Sequence, residues 1–457
     1  MKHFQYHISK IGFLINKGSN RTVKAKKNII SSFVLKGLSM LVSFLLIPLT
    51  LGYLNSYEYG IWLTLSAIAQ WVEFFDVGLG NGLRNKLSES LANNDAKLSN
   101  SYVSTTFFSL GVIISSLFVV FLFISYYINW YDLLNVDIKQ VSDLNSLVVI
   151  VVGSMSLTFI LKTTTYVYYA KQISSITNVV SFLSQLLSLI IIYLLTITTQ
   201  GDLKAVAVVY MGVPIVILLL LYPFTFWYKY VELRPSLKYV NLSYLKDLLG
   251  IGLEFFFLKV GGMLIFTTSN VIISNVLSPK EVTNYNIAFK YFNIIGVLYS
   301  IIISPIWSAT TEAYVKNDLN WLKSANKKML RVSLMLTIVA VVMVIIAPYV
   351  YLFWVGNTIV IPQTVNILFA IYVTLINYSL CYSMFIFGMG KLRVQLVSTF
   401  VCGILFVLLS PYLTSYFDLN GMLLALILVN LPGVILNPIQ FYKLIGKNLN
   451  TESIWNK

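Results

Sequence analysis

The chain has 457 residues, of which 58% are hydrophobic and only 11% charged, whereas soluble globular proteins carry about 25% charged residues. With a mean hydropathy of +0.80, we expect an integral membrane protein. A net charge of +15 would indicate nucleic acid binding in a soluble protein, but the sequence has no RNA- or DNA-binding motif, and we expect no nucleic acid partner.

Twelve apolar runs are long enough to cross about 30 Å of hydrocarbon as helices. The first six are residues 29–53, 57–80, 102–128, 145–169, 173–198 and 204–227. The second six are residues 248–275, 283–308, 330–355, 361–387, 393–417 and 420–442. The sequence therefore predicts an all-α membrane protein with twelve transmembrane helices in two sets of six.

Polar segments divide the chain into five predicted parts. These are a basic cytoplasmic tail (1–27), an N-terminal six-helix half (28–227), a cytoplasmic linker (228–246), a C-terminal six-helix half (247–443) and a second cytoplasmic tail (444–457). The first tail has no small-residue cleavage site, so we expect it to be retained rather than removed as a signal peptide. The loop at 129–145 contains three aspartates and is interpreted as a solvated turn.

The two halves carry related sequences at a constant offset of 223 positions. Residues 33–41 match residues 256–264, Glu58 meets Glu281, and the Asn94-Asp95 pair meets Asn317-Asp318. Because six spans return the chain to the side on which it started, both copies enter the membrane from the same side. We expect parallel repeats related by an axis along the membrane normal.

The distribution of Lys and Arg predicts the orientation. With a cytoplasmic N-terminus, inside segments hold 25 of the 32 Lys and Arg residues, and outside segments hold only Lys139, Lys204 and Lys280. Since cytoplasmic loops carry the excess of basic residues, both termini are expected in the cytoplasm.

Four lysines remain inside predicted spans, namely Lys36, Lys162, Lys259 and Lys290. A charge at the centre of a span costs about 2.5–3.5 kcal/mol on insertion scales, and Lys36 and Lys259 occupy equivalent repeat positions. Three of these lysines could instead lie at a membrane interface. Lys36 could snorkel to the inner interface, Lys290 is close to the outer end of its span, and Lys162 is favoured as interfacial.

Polar residues at helical spacing accompany these lysines, so we expect one polar cavity between the halves. Its substrate-binding cations are predicted to be Lys36, Lys259 and Lys290, and its polar lining Ser39, Gln70, Asn270 and Asn293. Glu73 and Asp76 either pair with the lysines or titrate during transport.

The sequence offers little for catalysis or metal binding. It has no P-loop, GxSxG, HExxH or carboxylate-rich metal motif, so we expect neither an enzyme nor an ATP-driven pump, and no cofactor or metal. His3 and His7 lie in the polar tail, and Cys381 and Cys402 lie in apolar runs where we expect no disulfide.

Three motifs carry a family resemblance. IPLTLGYL at 47–54, EYGIW at 58–62 and FDVGLGNGLRN at 75–85 resemble the N-terminal region of Wzx-type polysaccharide flippases. Their superfamily also contains the MATE-type multidrug extruders and the lipid II flippase. The resemblance covers about residues 28–110. The family often uses arginine in its cationic cavity, where this chain would use lysine.

The resemblance implies a MATE-like fold in the bacterial inner membrane. It implies a flippase that moves polyprenyl-diphosphate-linked oligosaccharide repeat units from the cytoplasmic to the periplasmic leaflet for O-antigen or capsule assembly. The expected partners are this lipid-linked oligosaccharide, membrane lipids and other polysaccharide assembly proteins, and the protein is expected to be a monomer. The alternative is a cation-coupled MATE-like exporter of drugs or small molecules, whose cationic substrates would avoid a cavity containing Lys36 and Lys259.

The charge asymmetry leads to a prediction about topology. A reporter fused after Lys238 should behave as cytoplasmic and one fused after Val136 as periplasmic, because inside segments hold 25 basic residues and outside segments hold three. Paired phosphatase and fluorescent-protein fusions measure this. The reverse pattern would show that the predicted number of spans is wrong.

Overall fold

The computed structural model describes residues 20–72, 79–171, 173, 175–249, 265, 267–315, 317–357, 359–391 and 393–446, and almost all of them are helical. The helices of the first half of the chain are α1 (Asn20–Tyr53), α2 (Ser56–Gln70), α3 (Leu79–Ala92), α4 (Ala96–Tyr127), α5 (Trp130–Leu134), α6 (Leu144–Ala170), α7 (Ser175–Thr198) and α8 (Leu203–Pro223). The helices that follow are α9 (Leu245–Leu249), α10 (Thr268–Val276), α11 (Pro279–Val315), α12 (Leu319–Val355), α13 (Gln363–Gly388) and α14 (Arg393–Gly446).

Eight helices in the described part of the chain are long and apolar enough to cross a membrane. They are α1, α4, α6, α7, α8 with the π-helical turn Phe224–Lys229, α12, α13 and α14. The predicted all-helical membrane protein is therefore confirmed. The count of twelve spans, the repeat symmetry and the cytoplasmic termini stay predictions, and predicted spans 57–80 and 248–275 extend outside the described residues.

Helix α14 is broken in the middle. Phe417 and Asp418 leave helical geometry, with φ of −127° and 52°, and this break falls at the junction of the predicted spans 393–417 and 420–442. Gly421 is at the start of the second arm, where it lies against the end of the first arm. An added Cβ at Gly421 would collide with the carbonyl of Leu413. The two arms of α14 can therefore turn sharply against each other only because residue 421 has no side chain.

The described residues group into two compact units. The first unit comprises those within Met1–Leu54, Phe75–Tyr127 and Ser146–Leu253, and the second comprises those within Asn55–Phe74, Ile128–Asn145 and Glu254–Lys457. The second unit thus combines two short segments from early in the chain, containing α2 and α5, with the C-terminal part.

The matched Asn-Asp pairs form the same helix-to-helix corner. Asn94 and Asn317 both have positive φ, 57° and 56°, a conformation that asparagine tolerates better than most residues. The aspartate that follows each asparagine accepts a hydrogen bond from the first turn of the next helix. Asp95 Oδ1 accepts from Leu98 N at 2.9 Å, and Asp318 Oδ1 accepts from Trp321 N at 3.0 Å. The sequence match at this offset is therefore accompanied by a match in local geometry.

The predicted linker is folded onto the first turns of α4, within the first unit. Asn100 Nδ2 donates to the carbonyls of Glu232 and Arg234 at 2.8 and 3.2 Å, and Ser104 Oγ accepts from Ser236 N at 3.0 Å. Because these side chains satisfy the linker backbone, residues 231–244 form three 3₁₀ turns against α4.

The loop at 129–145 exposes its three aspartates, as expected of a solvated turn, and its short helix packs against α10. This helix is α5, whose Trp130 and Leu134 are buried. Ser274 Oγ donates to the carbonyl of Leu134 at 2.6 Å, and Asn275 Nδ2 to that of Leu133 at 2.9 Å. The loop is therefore a docked element of the second unit.

Helix α2 packs closely against α11. Its N-terminus is fixed by a capping box, in which Asn55 Oδ1 accepts from the backbone of Tyr57 and Glu58 at 2.9 Å. Thr283 Oγ1 of α11 donates to the carbonyl of Ser56 at 2.6 Å. At Gly60 the two backbones approach so closely that a Cβ there would collide with the Pro279 carbonyl.

This close approach leads to a prediction about stability. Gly60→Ala should destabilise the protein by about 1–3 kcal/mol, because backbone atoms have to move. The matched control is Gly52→Ala in α1, where an added Cβ meets nothing within 4 Å and where alanine favours the helix by up to about 1 kcal/mol. The apparent melting temperature in detergent should fall for the first variant only. Equal melting temperatures would show that α2 and α11 do not pack this closely.

Candidate functional site

The structure places two of the three predicted cations. Lys36 is exposed on α1 in the first unit, and Lys290 is half-buried on α11 in the second unit. Lys259 lies outside the described residues, as do Glu73 and Asp76. The predicted cavity between the halves therefore stays a prediction.

The predicted polar lining is divided between the two units. Ser39 is half-buried on α1, and Gln70 is the exposed last residue of α2. Asn270 connects three helices, because its Nδ2 donates to the Leu63 carbonyl of α2 at 3.3 Å and its Oδ1 accepts from Asn286 of α11 at 2.9 Å. Asn270 and Asn286 thus join α2, α10 and α11 through neutral polar groups.

Lys290 lies one turn after Asn286 on the same helix. Within the described part of the chain its ammonium group has no ion pair and no hydrogen bond. A charge taken out of water without a partner is costly. An anionic ligand beside Lys290 would therefore supply a compensating charge.

Three buried amide side chains form a network at the ends of α14. Gln395, on the first arm, donates from Nε2 to Asn437 Oδ1 at 3.1 Å and to Gln440 Oε1 at 2.8 Å on the second arm. Asn437 Nδ2 in turn donates to Ser379 Oγ at 2.9 Å and Ser383 Oγ at 2.8 Å on α13. The directions follow from Gln440, because its Nε2 donates to the Lys391 carbonyl at 3.0 Å. Its Oε1 therefore faces Gln395, which must present its nitrogen.

A cavity of about 300 Å³ adjoins this network in the second unit. Its polar lining comes from α13 and both arms of α14, namely Ser379, Ser383, Gln395, Ser398, Thr399, Asn430 and Asn437. A second cavity of about 290 Å³ lies between α11 and α13 and is lined by the predicted site residue Asn293 together with Asn377. Both cavities share Ile376 and Leu380 as a wall, so they are neighbours.

The chemistry of these cavities is neutral. Their lining residues include amides, hydroxyls and aliphatic side chains, with Phe387 in one cavity and Phe289 and Tyr372 in the other, and none of them is charged. Two buried oxygens, Gln395 Oε1 and Asn377 Oδ1, have no hydrogen-bond partner within the described residues. Both oxygens are enclosed by protein atoms, so a hydrogen-bond donor in a cavity would reach them only after a side-chain rotation.

The sequence interpretation missed these amides because it followed the charged residues. The available signal was the presence of Asn377, Gln395, Asn437 and Gln440 inside predicted spans, since a polar side chain in a span is costly and often functional. Of the predicted site residues, only Asn293 lines one of the two cavities.

Basic and aromatic side chains cluster at one end of the first unit. Lys171 lies 4.5 Å from the ring centre of Tyr230 and 3.6 Å from Glu232, and Lys229 lies 5.2 Å from the ring of Tyr168. Burial raises the pKa of Tyr230, so this hydroxyl stays neutral at physiological pH. Such a cluster is typical of a membrane–water interface.

Comparison with known families gives a match over more than half of the chain. The sequence model of the family described as "Polysaccharide biosynthesis protein" matches residues 25–311. The chain is 24% identical over 426 residues to a "Putative O-antigen transporter" of Salmonella typhimurium, covering 88% of this chain and 90% of that protein. It is 22% identical over 375 residues to a "Putative O-antigen export protein" of Yersinia pseudotuberculosis, covering 78% and 81%.

Solved structures agree on the fold. An inward-facing multidrug resistance MATE family transporter of the MOP superfamily superposes with a TM-score of 0.72 at 13% identity, over 92% of this chain and 99% of that one. An outward-facing transporter of the same family gives a TM-score of 0.61 at 14% identity, over 94% and 97%. At these identities the likeness concerns the fold alone, and the MATE-like fold expected from the sequence is confirmed.

The amide network leads to a prediction about packing. Asn437→Leu removes bonds to Gln395, Ser379 and Ser383, and should lower stability by about 1–3 kcal/mol. The control is Asn430→Leu in the same arm, since Asn430 Nδ2 donates to the Leu426 carbonyl one turn earlier and that bond joins no second helix. Thermal unfolding in detergent should separate the two variants, and equal stability would argue against an interhelical network.

Proposed function

Because this chain belongs to the polysaccharide biosynthesis protein family, we propose that it moves polyprenyl-diphosphate-linked oligosaccharide repeat units from the cytoplasmic to the periplasmic leaflet. The protein is a multi-pass bacterial membrane transporter related to O-antigen export proteins. The alignment with a relative named as an O-antigen transporter, over 88% of this chain, is the observation that supports the proposal most.

The diphosphate group makes this transport difficult. A bare diphosphate cannot enter hydrocarbon without compensating charge, because burying an isolated ion costs many kcal/mol. The polyprenyl tail has no such difficulty and can stay in lipid. A protein that carries this substrate therefore has to offer cations and hydrogen-bond donors to the head group along a wet path.

Lysines inside the spans supply those cations in the proposal. Lys36, Lys259 and Lys290 are the proposed diphosphate ligands, acting as point charges rather than as the flat bidentate group of arginine. The unpaired ammonium group of Lys290 among the described residues supports this role. Glu73 and Asp76 are proposed to pair with lysines or to couple transport to an ion gradient.

Alternating access completes the proposed mechanism. Two halves of six spans each, with both termini in the cytoplasm, would rock against each other so that the site faces one leaflet and then the other. The repeat unit would enter from the cytoplasmic leaflet and leave into the periplasmic leaflet. The sequence has no nucleotide-binding motif, so the driving force in this scheme is an ion gradient or consumption of the product outside.

The second candidate, a cation-coupled multidrug exporter, is favoured by the MATE fold. The fold is common to both functions and does not discriminate between them. Charge does discriminate, because a cationic drug requires acidic residues in its site. The acids within the predicted spans are Glu58, Glu73, Asp76 and Glu254, and Glu58 is engaged in the capping box of α2. A cationic drug would also be repelled by Lys36 and Lys259 in the proposed cavity, so we favour the anionic, lipid-linked substrate.

The proposal predicts the behaviour of Lys259. Lys259→Ala should reduce transport by about ten- to a hundredfold, because a charge-assisted bond contributes about 1.5–3 kcal/mol, and Lys259→Arg should keep much of the activity. Lipid-linked repeat units should accumulate in the cytoplasmic leaflet at unchanged protein level. The measurement is complementation of a deletion strain with leaflet-resolved detection of the lipid.

Lys139→Ala is the matched control, because Lys139 is exposed in the loop before α6 and its loss should leave transport unchanged. Normal transport by Lys259→Ala would refute the role of this lysine in the cationic site. A deletion strain that still displays repeat units on the periplasmic leaflet would refute the proposed function itself.

A further inference from the structure

The two neutral cavities of the second unit stand apart from the cationic residues in their chemistry. A diphosphate would need basic side chains, and a cationic drug would need acidic ones, but the lining of both cavities is uncharged. A ligand that fits must therefore be neutral and rich in hydrogen-bonding groups. Its apolar faces would contact Phe387 and the aliphatic residues.

The amide network shows that hydrogen-bonding capacity is left over inside this unit. Gln395 is 5% exposed and lines the larger cavity, yet Gln395 Oε1 has no partner within the described residues. Asn377 is 1% exposed and lines the neighbouring cavity, and its Oδ1 is likewise unpartnered among them. A buried acceptor without a donor costs about 1–3 kcal/mol. Both oxygens are enclosed by protein atoms, so a small side-chain rotation that brought either one to a hydroxyl in the cavity would be stabilised.

The size of the cavities limits the ligand. Volumes of about 300 and 290 Å³ lie at the lower end of the range for small-molecule sites, roughly 300–1,000 Å³. Each suits a single sugar ring, whose hydroxyls and C–H faces match a lining of amides, hydroxyls and apolar side chains.

The position of Lys290 connects these cavities with the proposed diphosphate ligands. Asn293 lines the smaller cavity and follows Lys290 by three residues on α11, which is about 4.5 Å along the helix axis. In a lipid-linked repeat unit the diphosphate is bonded directly to the first sugar. On α11, Lys290 and the cavity residue Asn293 are therefore neighbours, as the diphosphate and the first sugar are neighbours in the substrate.

We propose that the cavities lined by Asn293, Asn377, Gln395 and Asn437 form a saccharide-binding subsite that selects the sugar portion of the substrate. This inference rests on the proposed function. Gln395 accepts a hydrogen bond from the sugar, and Asn437 holds Gln395 in position through the bond between Gln395 Nε2 and Asn437 Oδ1.

The test compares two lipids that share the diphosphate and differ in sugar. The full-length protein is reconstituted in proteoliposomes with the polyprenyl-diphosphate-linked repeat unit from the strain that carries the gene, and with the same lipid trimmed to its first sugar. The wild type should transport the complete unit about five- to thirtyfold faster. Gln395→Met should lose most of this preference, since one or two kcal/mol correspond to such a factor, while transport of the trimmed lipid changes little.

Asn366→Leu is the matched control. Asn366 is buried and accepts from Tyr351 Oη at 2.8 Å in the same unit, but it lines neither cavity. Its hydrogen bonds go to Tyr351 and Gln363 rather than to the amide network, so this variant should lose stability and keep the preference. Thr399→Val serves as a second lining variant of nearly equal volume if Gln395→Met does not fold, and it should weaken the preference.

The outcomes separate the two proposals. A full preference in the lining variants, or no preference in the wild type, would overturn the saccharide subsite while leaving the flippase proposal standing. If the wild type transports neither lipid, the proposed function fails and the subsite fails with it.

Discussion

The requirement that buried polar groups find partners inside the protein governs this structure at every level. In hydrocarbon no water satisfies the backbone, so the apolar runs form helices, which bond their own N–H and C=O groups. The same requirement acts on side chains. Gln395, Asn437 and Gln440 bond one another across the two arms of α14, and Asn437 continues the network to α13. These amides hold the arms in one register because apolar contacts alone, which lipid tails can replace, do not specify it.

The connections between helices obey the same constraint. The linker after α8 and the loop containing α5 expose backbone groups that no helix satisfies, and polar side chains of α4 and α10 bond them. These side chains therefore serve as docking points rather than as lining of a cavity. Ser274 illustrates this role, since its hydroxyl bonds the Leu134 carbonyl.

What the sequence could predict depends on the range of the interactions involved. Hydropathy predicted the helices, and the Asn94 and Asn317 corners share a positive φ because local turn chemistry is encoded in a few residues. The loop at 129–145 exposes its three aspartates as predicted, but its docking was not predicted because the partners lie on α10, far along the chain. At the site, Asn293 was found through its spacing from Lys290, but Gln395 and Asn437 were missed. An amide inside a span indicates that it has a polar partner, but only the approach of α13 to both arms of α14 shows that these amides meet.

Charge and neutral polarity would contribute differently to recognition in such a transporter. A lysine attracts any diphosphate and cannot distinguish one sugar from another, so cations give binding without selectivity. An oriented amide does the opposite, because it gains little from a correct hydroxyl but is left unpaired by an incorrect one, and such sites reject ligands that lack the matching group. A transporter that handles one repeat unit among many lipid-linked diphosphates needs both. The second unit places the two kinds of group on adjacent turns of α11, where Lys290 is followed by Asn293. Relatives that carry other sugars could therefore keep the cations and change the amides, because the shared diphosphate constrains the former and the variable saccharide the latter.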